Sequence, residues 1–514
     1  MIENLPDNDK AILQRLLSEW SAKRYRNVLR TTYYEGKQLF RDFGISIPPQ
    51  LRAFEPTLGW IAKGVDSLVD RTHFEGFVTS GENDFGVSEI VFDNNLESEF
   101  QQSFTSSAMH ACSFLSVSHG GDGEPDVLVM PHAADEATAL WDSRRRTLSA
   151  FLAITSWDAG APSGILMMTP ERVYRFTKVD GKWFGKYDVN PVGQVLAVPL
   201  PYKPELKRPF GHSRISRAAM SITDAALRTV LRAEVSSEFY SSPQRWVLGA
   251  DVEAFAGDNK WKAVMGRLLA LERDPDTDEL PSVGQFAASS PQPHTDQLRM
   301  WASLFAGEMG LSLNSLGIVQ DNPSSAEAMY AAKEDLITDA IRATSTWGRS
   351  LVRVMHLSVM LRDGLDSVPA GLKDMRAQFT DPSMASPSAQ ADAFVKRAQA
   401  IPGFAESEVG LEMAGLTREQ ITRFKAESKR VGAQNLLASL SSDSEGSEMS
   451  ALTPSGDTAQ DMREKFEALG VAVRAGVDPA SAAAILGIPN IQFTGAVPVT
   501  LRMPEAEAAK LEES

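Results

Sequence analysis

The chain has 514 residues, enough for about three or four domains, and its 51 Lys+Arg against 67 Asp+Glu leave a net charge of −16. Its single cysteine, Cys112, excludes a disulfide framework and a cysteine-based zinc site, and no apolar run approaches the roughly 18 residues of a membrane span. So acidic a chain is also a poor candidate for gripping DNA through counterion release, which needs Lys and Arg clusters facing phosphates.

The opening MIENLPDNDK is polar and acidic, which predicts neither a secretory signal nor a basic transit peptide. Residues 9–42 are expected to be helical. Ile12, Leu16 and Trp20 recur with Leu13 and Leu17 at 3–4 spacing, and a basic cluster (Lys23, Arg24, Arg26, Arg30) follows. Ile45–Pro49 breaks the pattern, and a second helix is expected around Thr57–Asp70. From about Asp126 to Leu200 the texture becomes β-rich. Short apolar runs (DVLVM, TLSAFLAIT, GILMMT, RVYRF, GKWFGKY, QVLAVPL) alternate with Gly, Pro and Asp turns, of which Asp180-Gly181 is the clearest.

Pro209-Phe210-Gly211 closes this region, and Ser213 can cap a helix running to about Ser241. Ile215, Ala219, Ile222, Ala226 and Val230 form its apolar stripe, while Arg217, Ser221, Asp224, Arg228 and Arg232 line the other face. A compact unit follows Pro243: a strand at 245–249, a short helix from about Asp258 to Arg273, and a second strand near Ser282–Ala287. A helix from about Thr295 to Met309 leads out of it. After a loop, Ser324 and Glu327 form a capping box at the head of a helical pattern that lasts to Asp363-Gly364, on the order of 55 Å at 1.5 Å per residue. Further helices are expected near Ser388–Ala400, Ser407–Ala414 and Thr417–Arg430. Residues 440–458 have the Ser/Gly/acidic composition of a disordered linker, before a short helix at about Gln460–Ala475 and an irregular apolar tail.

Catalytic patterns are largely missing. There is no GxxxxGK[ST] loop and no HExxH, and the seven histidines never pair at i,i+4. Gly211-His212-Ser213-Arg214-Ile215 begins like a nucleophile elbow but ends in Ile where Gly is required, which favours an N-cap role for Ser213. His119-Gly120-Gly121-Asp122-Gly123 fits a surface turn. Asp274, Asp276, Asp278 and Glu279 lack the glycine and terminal Glu of a calcium loop. Cys112, in the apolar context AMHACSFL, is expected to be a buried small hydrophobe. No enzyme activity, cofactor or metal is expected.

The order of these segments resembles the portal (head-to-tail connector) protein family of tailed bacteriophages, of the type found in siphophages of actinobacteria. The likeness spans roughly residues 10–503. It is carried by PFGHSRIS (209–216), FYSSPQRWVLG (239–249), FAGEMGLSLNSLGI (305–318), NPSSAEAMYAAKEDL (322–336) and FTGAVPVTLR (493–502) taken in order, since each is short and structural alone. The resemblance implies an α+β portal fold. Residues 1–212 would form a β-rich/α wing, 213–241 and 294–310 an antiparallel helical stem, and 243–293 a small α/β clip. Residues 311–324 would be a tunnel loop, 325–384 a long wing helix and connection, 385–435 an α-helical crown, and 436–514 a flexible tail with a short helix.

It further implies a homo-oligomeric ring, usually a dodecamer, at one capsid vertex of the virion, made in the cytoplasm of the bacterial host. Double-stranded DNA would pass through it non-specifically during packaging and ejection. The terminase large subunit, head-completion or adaptor proteins, and major capsid and scaffolding proteins would be its partners, with no membrane involved. The implied DNA-facing loop residues are Ser312, Asn314, Ser315, Gln320, Asp321 and Asn322; the loop departs from expectation in holding no Lys or Arg. Arg217, Arg228 and Arg232, with Asp224, form the polar face of the stem and serve either as channel rings or as bridges between subunits. Trp246 and Trp261 are either docking anchors of the clip or its core. A minor capsid or helical adaptor protein without a channel is the alternative.

Overall fold

The computed structural model describes residues 5–37, 56–79, 81, 83–241, 245–248, 282–285, 290–318, 333–383, 387–416 and 420–431. Helix and sheet are mixed, and the chain divides into two compact units, Met1–Ala385 and Ser386–Ser514.

The first helix, α1, runs Asp7–Tyr34, eight residues short of the expected end at 42. The reason is a Schellman motif: Gly36 takes a left-handed φ of +67°, and the N–H groups of Gly36 and Lys37 turn back to the carbonyls of Tyr33 and Thr32. Helix α2 (Trp60–Val69) falls inside the expected Thr57–Asp70. Between it and the β-rich region come four elements whose pattern is weak in sequence: β1 (Phe74–Val78), α3 (Val87–Asp93), α4 (Leu96–His110) and β2 (Cys112–His119).

The β-rich region forms two antiparallel sheets. Strand β3 (Val127–Ala133) and β9 (Ala197–Pro201) flank β2 in the order β3-β2-β9. Strands β4 (Ala137–Asp142), β5 (Thr147–Asp158), β6 (Ala161–Met168), β7 (Arg172–Val179) and β8 (Lys182–Val189) form a five-stranded meander. Asp180 and Gly181 both have positive φ, +50° and +78°, the signature of the tight hairpin turn read from their dipeptide.

The continuous apolar run in β5 is explained by burial on both faces. Leu152 and Ile154 pack with Leu13, Leu16 and Trp20 of α1, while Phe151 and Ala153 point the other way into the main core. That core is organised around α4 and a long helix, α7 (Glu334–Asp363), where Phe104 and Trp347 stack at 4.6 Å between centroids. The Trp347 indole donates to Ser107 Oγ (3.1 Å), which donates to the Leu200 carbonyl of β9 (2.6 Å), so helix–helix and helix–sheet packing share one polar thread. Strand β12 (Arg376–Phe379), after α7, returns to pair with β1.

Helix α5 (Arg217–Ser241) leads to β10 (Arg245–Leu248), which pairs antiparallel with β11 (Ser282–Gln285), and α6 (Gln292–Met309) leads back. In the second unit, α8 (Pro387–Ala400), α9 (Glu408–Met413) and a helix at 420–431 follow the expected order, with the Ser407 hydroxyl accepting from Gly410 N–H at the head of α9. The expected helices at 258–273 and 460–475, the Ser324–Glu327 capping box, the 440–458 linker and the apolar tail lie outside the described residues.

Candidate functional site

A tightly hydrogen-bonded feature lies at the head of the α5–α6 pair, in the segment Pro209–Ser216. Immediately after β9 comes the buried Tyr202, whose N–H donates to Ala111 O (2.8 Å) and whose carbonyl accepts from His212 N–H (2.8 Å). The chain therefore doubles back over its own strand end. Gly211 makes this approach possible: its φ is +76°, and a Cβ there would lie 2.0 Å from Tyr202 O.

Arg214 comes next and is buried, against the usual habit of arginine. Its Nε donates to Gly64 O of α2 (2.7 Å), Nη2 to Met309 O at the end of α6 (2.5 Å), and Nη1 to the Tyr202 hydroxyl (3.0 Å). Nη1 also lies 3.2 Å from Asp339 Oδ2 of α7, so one guanidinium ties α2, β9, α6 and α7 to the start of α5. Met309 O belongs to the last turn of a helix, where unpaired carbonyls and the macrodipole favour a cation.

Ser213 does not cap α5. Its hydroxyl accepts from Ile215 N–H (2.9 Å) and donates to the Met109 carbonyl. Ser216, immediately before the first helical residue, is the cap, accepting from Ala219 N–H (3.0 Å) and donating to Glu308 Oε1 of α6 (2.6 Å). A serine so engaged with main chain is not one activated by a base. His212 turns instead towards Glu205, at 3.1 Å.

Helices α5 and α6 run antiparallel. Ser216 meets Glu308 at one end, and further along the Trp301 indole donates to Thr229 Oγ1 (3.2 Å). Ala219, Thr223, Ala226 and Leu227 of α5 are buried with Ala302, Phe305 and Ala306 of α6. Four charged residues on the polar face of α5 divide. Arg217 and Arg232 are exposed; Asp224 and Arg228 are half-buried. Asp224 accepts from the Tyr33 hydroxyl of α1 (2.8 Å), and burial holds its carboxyl above the ordinary value although Tyr33 and Arg228 both favour the anion. Tyr33 is raised in turn, by burial first and then by Asp224.

After α6, Gly310 (φ +61°) closes a second Schellman turn, and Leu311 N–H returns to Ala306 O (2.8 Å). A 3₁₀ turn, Leu313–Leu316, follows, in which Leu313 and Leu316 pack on the main core. Ser312 and Ser315 bond to each other through their hydroxyls (2.8 Å), and Asn314 is exposed. Gln320, Asp321, Asn322 and Trp261 lie outside the described residues; Trp246 is on β10, opposite Gly284 of β11.

Among the described residues no three or more His, Cys, Asp or Glu side chains gather as a metal site requires. Cys112 is buried, and burial pushes its thiol far above the ordinary value, so it is not poised as a nucleophile. No helix among the described residues is long and apolar enough to cross a membrane.

Residues 13–433 match the model of a protein family described as "Phage portal protein, SPP1 Gp6-like". The portal protein of Mycobacterium phage D29 is 28% identical over 382 residues, covering 71% of this chain and 77% of that protein. The portal protein of Mycobacterium phage L5 is 27% identical over 423 residues, covering 78% and 85%. A solved structure described as the neck of an empty GTA particle aligns over 76% of this chain and 93% of its own with a TM-score of 0.43 at 12% identity.

Proposed function

The chain belongs to the SPP1 Gp6-like phage portal protein family, and from that premise we propose that it assembles into a dodecameric ring through which double-stranded DNA is packaged and ejected. As a portal protein it is a structural component of the virion at the capsid. On this reading it is not an enzyme, is made in the bacterial cytoplasm, and takes one vertex of the capsid.

One observation supports the channel most directly: the antiparallel α5–α6 pair brackets the β10–β11 ladder along the chain, and Arg214, just before α5, binds the Met309 carbonyl at the end of α6. Such a pair is the stem, and the β10–β11 ladder is the described part of the clip, where the terminase large subunit and then the head-completion or adaptor proteins dock, with Trp246 and Trp261 as anchors. Residues 1–212 and 325–384 form the wing that meets major capsid and scaffolding proteins, 385–435 the crown, and 436–514 the tail. Residues 311–324 are the tunnel loop, in which Ser312, Asn314, Ser315, Gln320, Asp321 and Asn322 offer amides, hydroxyls and one carboxylate but no cation to DNA.

The acidic balance suits a conduit. Each phosphate–cation contact adds a well that moving DNA must climb out of, whereas an acidic wall with a few basic rings lets the duplex slide. Twelve copies at −16 carry 12 × −16 = −192, conditional on that stoichiometry.

Native mass spectrometry and negative-stain class averages of the full chain test this. A closed ring with a hole wide enough for duplex DNA is expected. A ring without such a hole would favour the alternative of a minor capsid or helical adaptor protein. A chain that stays monomeric even with procapsid components present would sink the ring itself.

A further inference from the structure

The basic cluster early in the chain gathers on one side of α1. Lys23, Arg26 and Arg30 fall at i, i+3 and i+7 of α1, on one helix face, and line a cavity of about 400 Å³. Arg24 does not join them, lying 5.4 Å and 5.0 Å over the rings of Trp20 and Trp157. The loop between β9 and α5 adds Lys207 and Arg208 to the same cavity, and Cys112, Phe114 and Phe210 supply apolar lining. No Asp or Glu lines it, in a chain that is acidic overall.

These cations are poorly compensated. Lys23 pairs with Glu19 at 2.8 Å. Among the described residues no carboxylate oxygen lies within 4.0 Å of Arg26, Arg30, Lys207 or Arg208. Arg30 donates one bond, from Nη1 to the His110 carbonyl (3.0 Å), while its buried Nε has no partner. Burial, and then the neighbouring Arg26, lower its pKa to about 10, which still leaves it a cation at neutral pH. The Asn27 amide oxygen, also buried and unpartnered, adds an acceptor for a protonated oxygen. A desolvated guanidinium without a counter-charge is costly, and its fork of donors matches a tetrahedral oxyanion.

We infer that this cavity binds a multivalent oxyanion of the phosphate class. Its volume is at the small end of the roughly 300–1,000 Å³ of ligand pockets, which suits a phosphate or pyrophosphate group. Free phosphate and a phosphate presented by nucleic acid at the cavity mouth share this chemistry.

The test uses the full chain and sodium pyrophosphate, read by calorimetry and thermal melting against sodium chloride at equal ionic strength. Saturable binding at millimolar concentration or below is expected, with an upward shift of the melting temperature that chloride does not give. Arg30→Gln and the double variant Lys207→Gln/Arg208→Gln should each weaken binding about tenfold or more, the loss of one or two charge-assisted bonds. The double variant lies on an exposed loop and keeps the question open to test if Arg30→Gln fails to fold. Absence of saturable binding, or unchanged binding in the double variant, overturns the assignment. A short random-sequence duplex that displaces pyrophosphate supports the site and identifies nucleic acid as the source, whereas failure to displace supports the free anion. An acidic peptide that binds where pyrophosphate does not also overturns it.

Discussion

Arg214 Nη1 lies 3.2 Å from Asp339 Oδ2, with the arginine side chain 4% exposed and the aspartate 19%. The pair joins the start of α5 to α7, and the remaining guanidinium nitrogens hold α2 and α6. Arg214→Met should therefore leave Asp339 to Lys203 alone, whose Nζ lies 2.8 Å from the same Oδ2, and take the guanidinium donor from the Gly64 and Met309 carbonyls. Taking a charged donor from a buried acceptor costs about 1–3 kcal/mol for each group left unsatisfied, so a large fall in melting temperature and in soluble yield is expected. Arg214→Lys keeps the charge but cannot spread donors over four acceptors, and its loss should be intermediate.

Gly211 and Gly181 separate two ways in which a glycine is required. Both have positive φ, +76° and +78°. A Cβ at Gly181 meets nothing within 4 Å, whereas one at Gly211 would overlap Tyr202 O at 2.0 Å. Gly181→Ala should cost only the left-handed penalty, about 1–2 kcal/mol. Gly211→Ala must also displace the β9 end from the Arg214 site, and is expected to lower the melting temperature well beyond the Gly181 variant. Equal effects would show that the doubled-back loop can relax.

The contrast explains what could be read in sequence. The meander and α7 were legible because apolar period and turn residues agree there, as at Asp180-Gly181. Helix α4 was not, because its buried face includes Ser103 and Ser107, which go inside by donating to Glu99 O and Leu200 O and so dilute the apolar stripe. Helix α1 looked longer than it is because Leu39 and Phe40 continue the apolar count, while the stop comes from a backbone turn at Gly36. PFGHSRIS stands out as a run, but the residue that organises it is Arg214 and not Ser213. An arginine in an exposed-looking tract carries no local sign that four acceptors from distant elements converge on it, nor does Ser216 show that it, and not Ser213, caps the helix.

Histidine sets the acid limit. Burial lowers His132 to about 4, against an ordinary value of about 6.5, and its Nε2 pairs with Ser116 Oγ at 2.8 Å. His110 and His356 are lowered as well, chiefly by burial. The unfolded chain takes up these protons as pH falls below about 6.5, and the folded chain does so only at lower pH. The stability they contribute is whole above pH 6.5 and is lost as pH falls towards 4. Melting temperatures recorded across that window should decline, and His132→Gln, which keeps a polar partner for Ser116 without titrating, should flatten the decline. A profile unchanged by the substitution would remove His132 from the account.

The proposed stem wall can be tested at the two cations of α5 left exposed, Arg217 and Arg232. They are fifteen residues apart, about 22 Å along the helix, so they would form two separate rings in a closed assembly. Neither has a carboxylate within 4.0 Å among the described residues, and Arg217→Ala/Arg232→Ala should change subunit stability by no more than about 0.5 kcal/mol. If the rings face DNA, the double variant assembles normally while the length of DNA packaged falls. Glutamate at both positions should then lower it further, with an ionic-strength dependence that alanine lacks. If the arginines instead bridge neighbouring subunits, the alanine variant loses rings in native mass spectrometry before any packaging defect can be scored, and lysine at both positions restores them. The two outcomes separate a channel charge from an assembly charge on the same pair of residues.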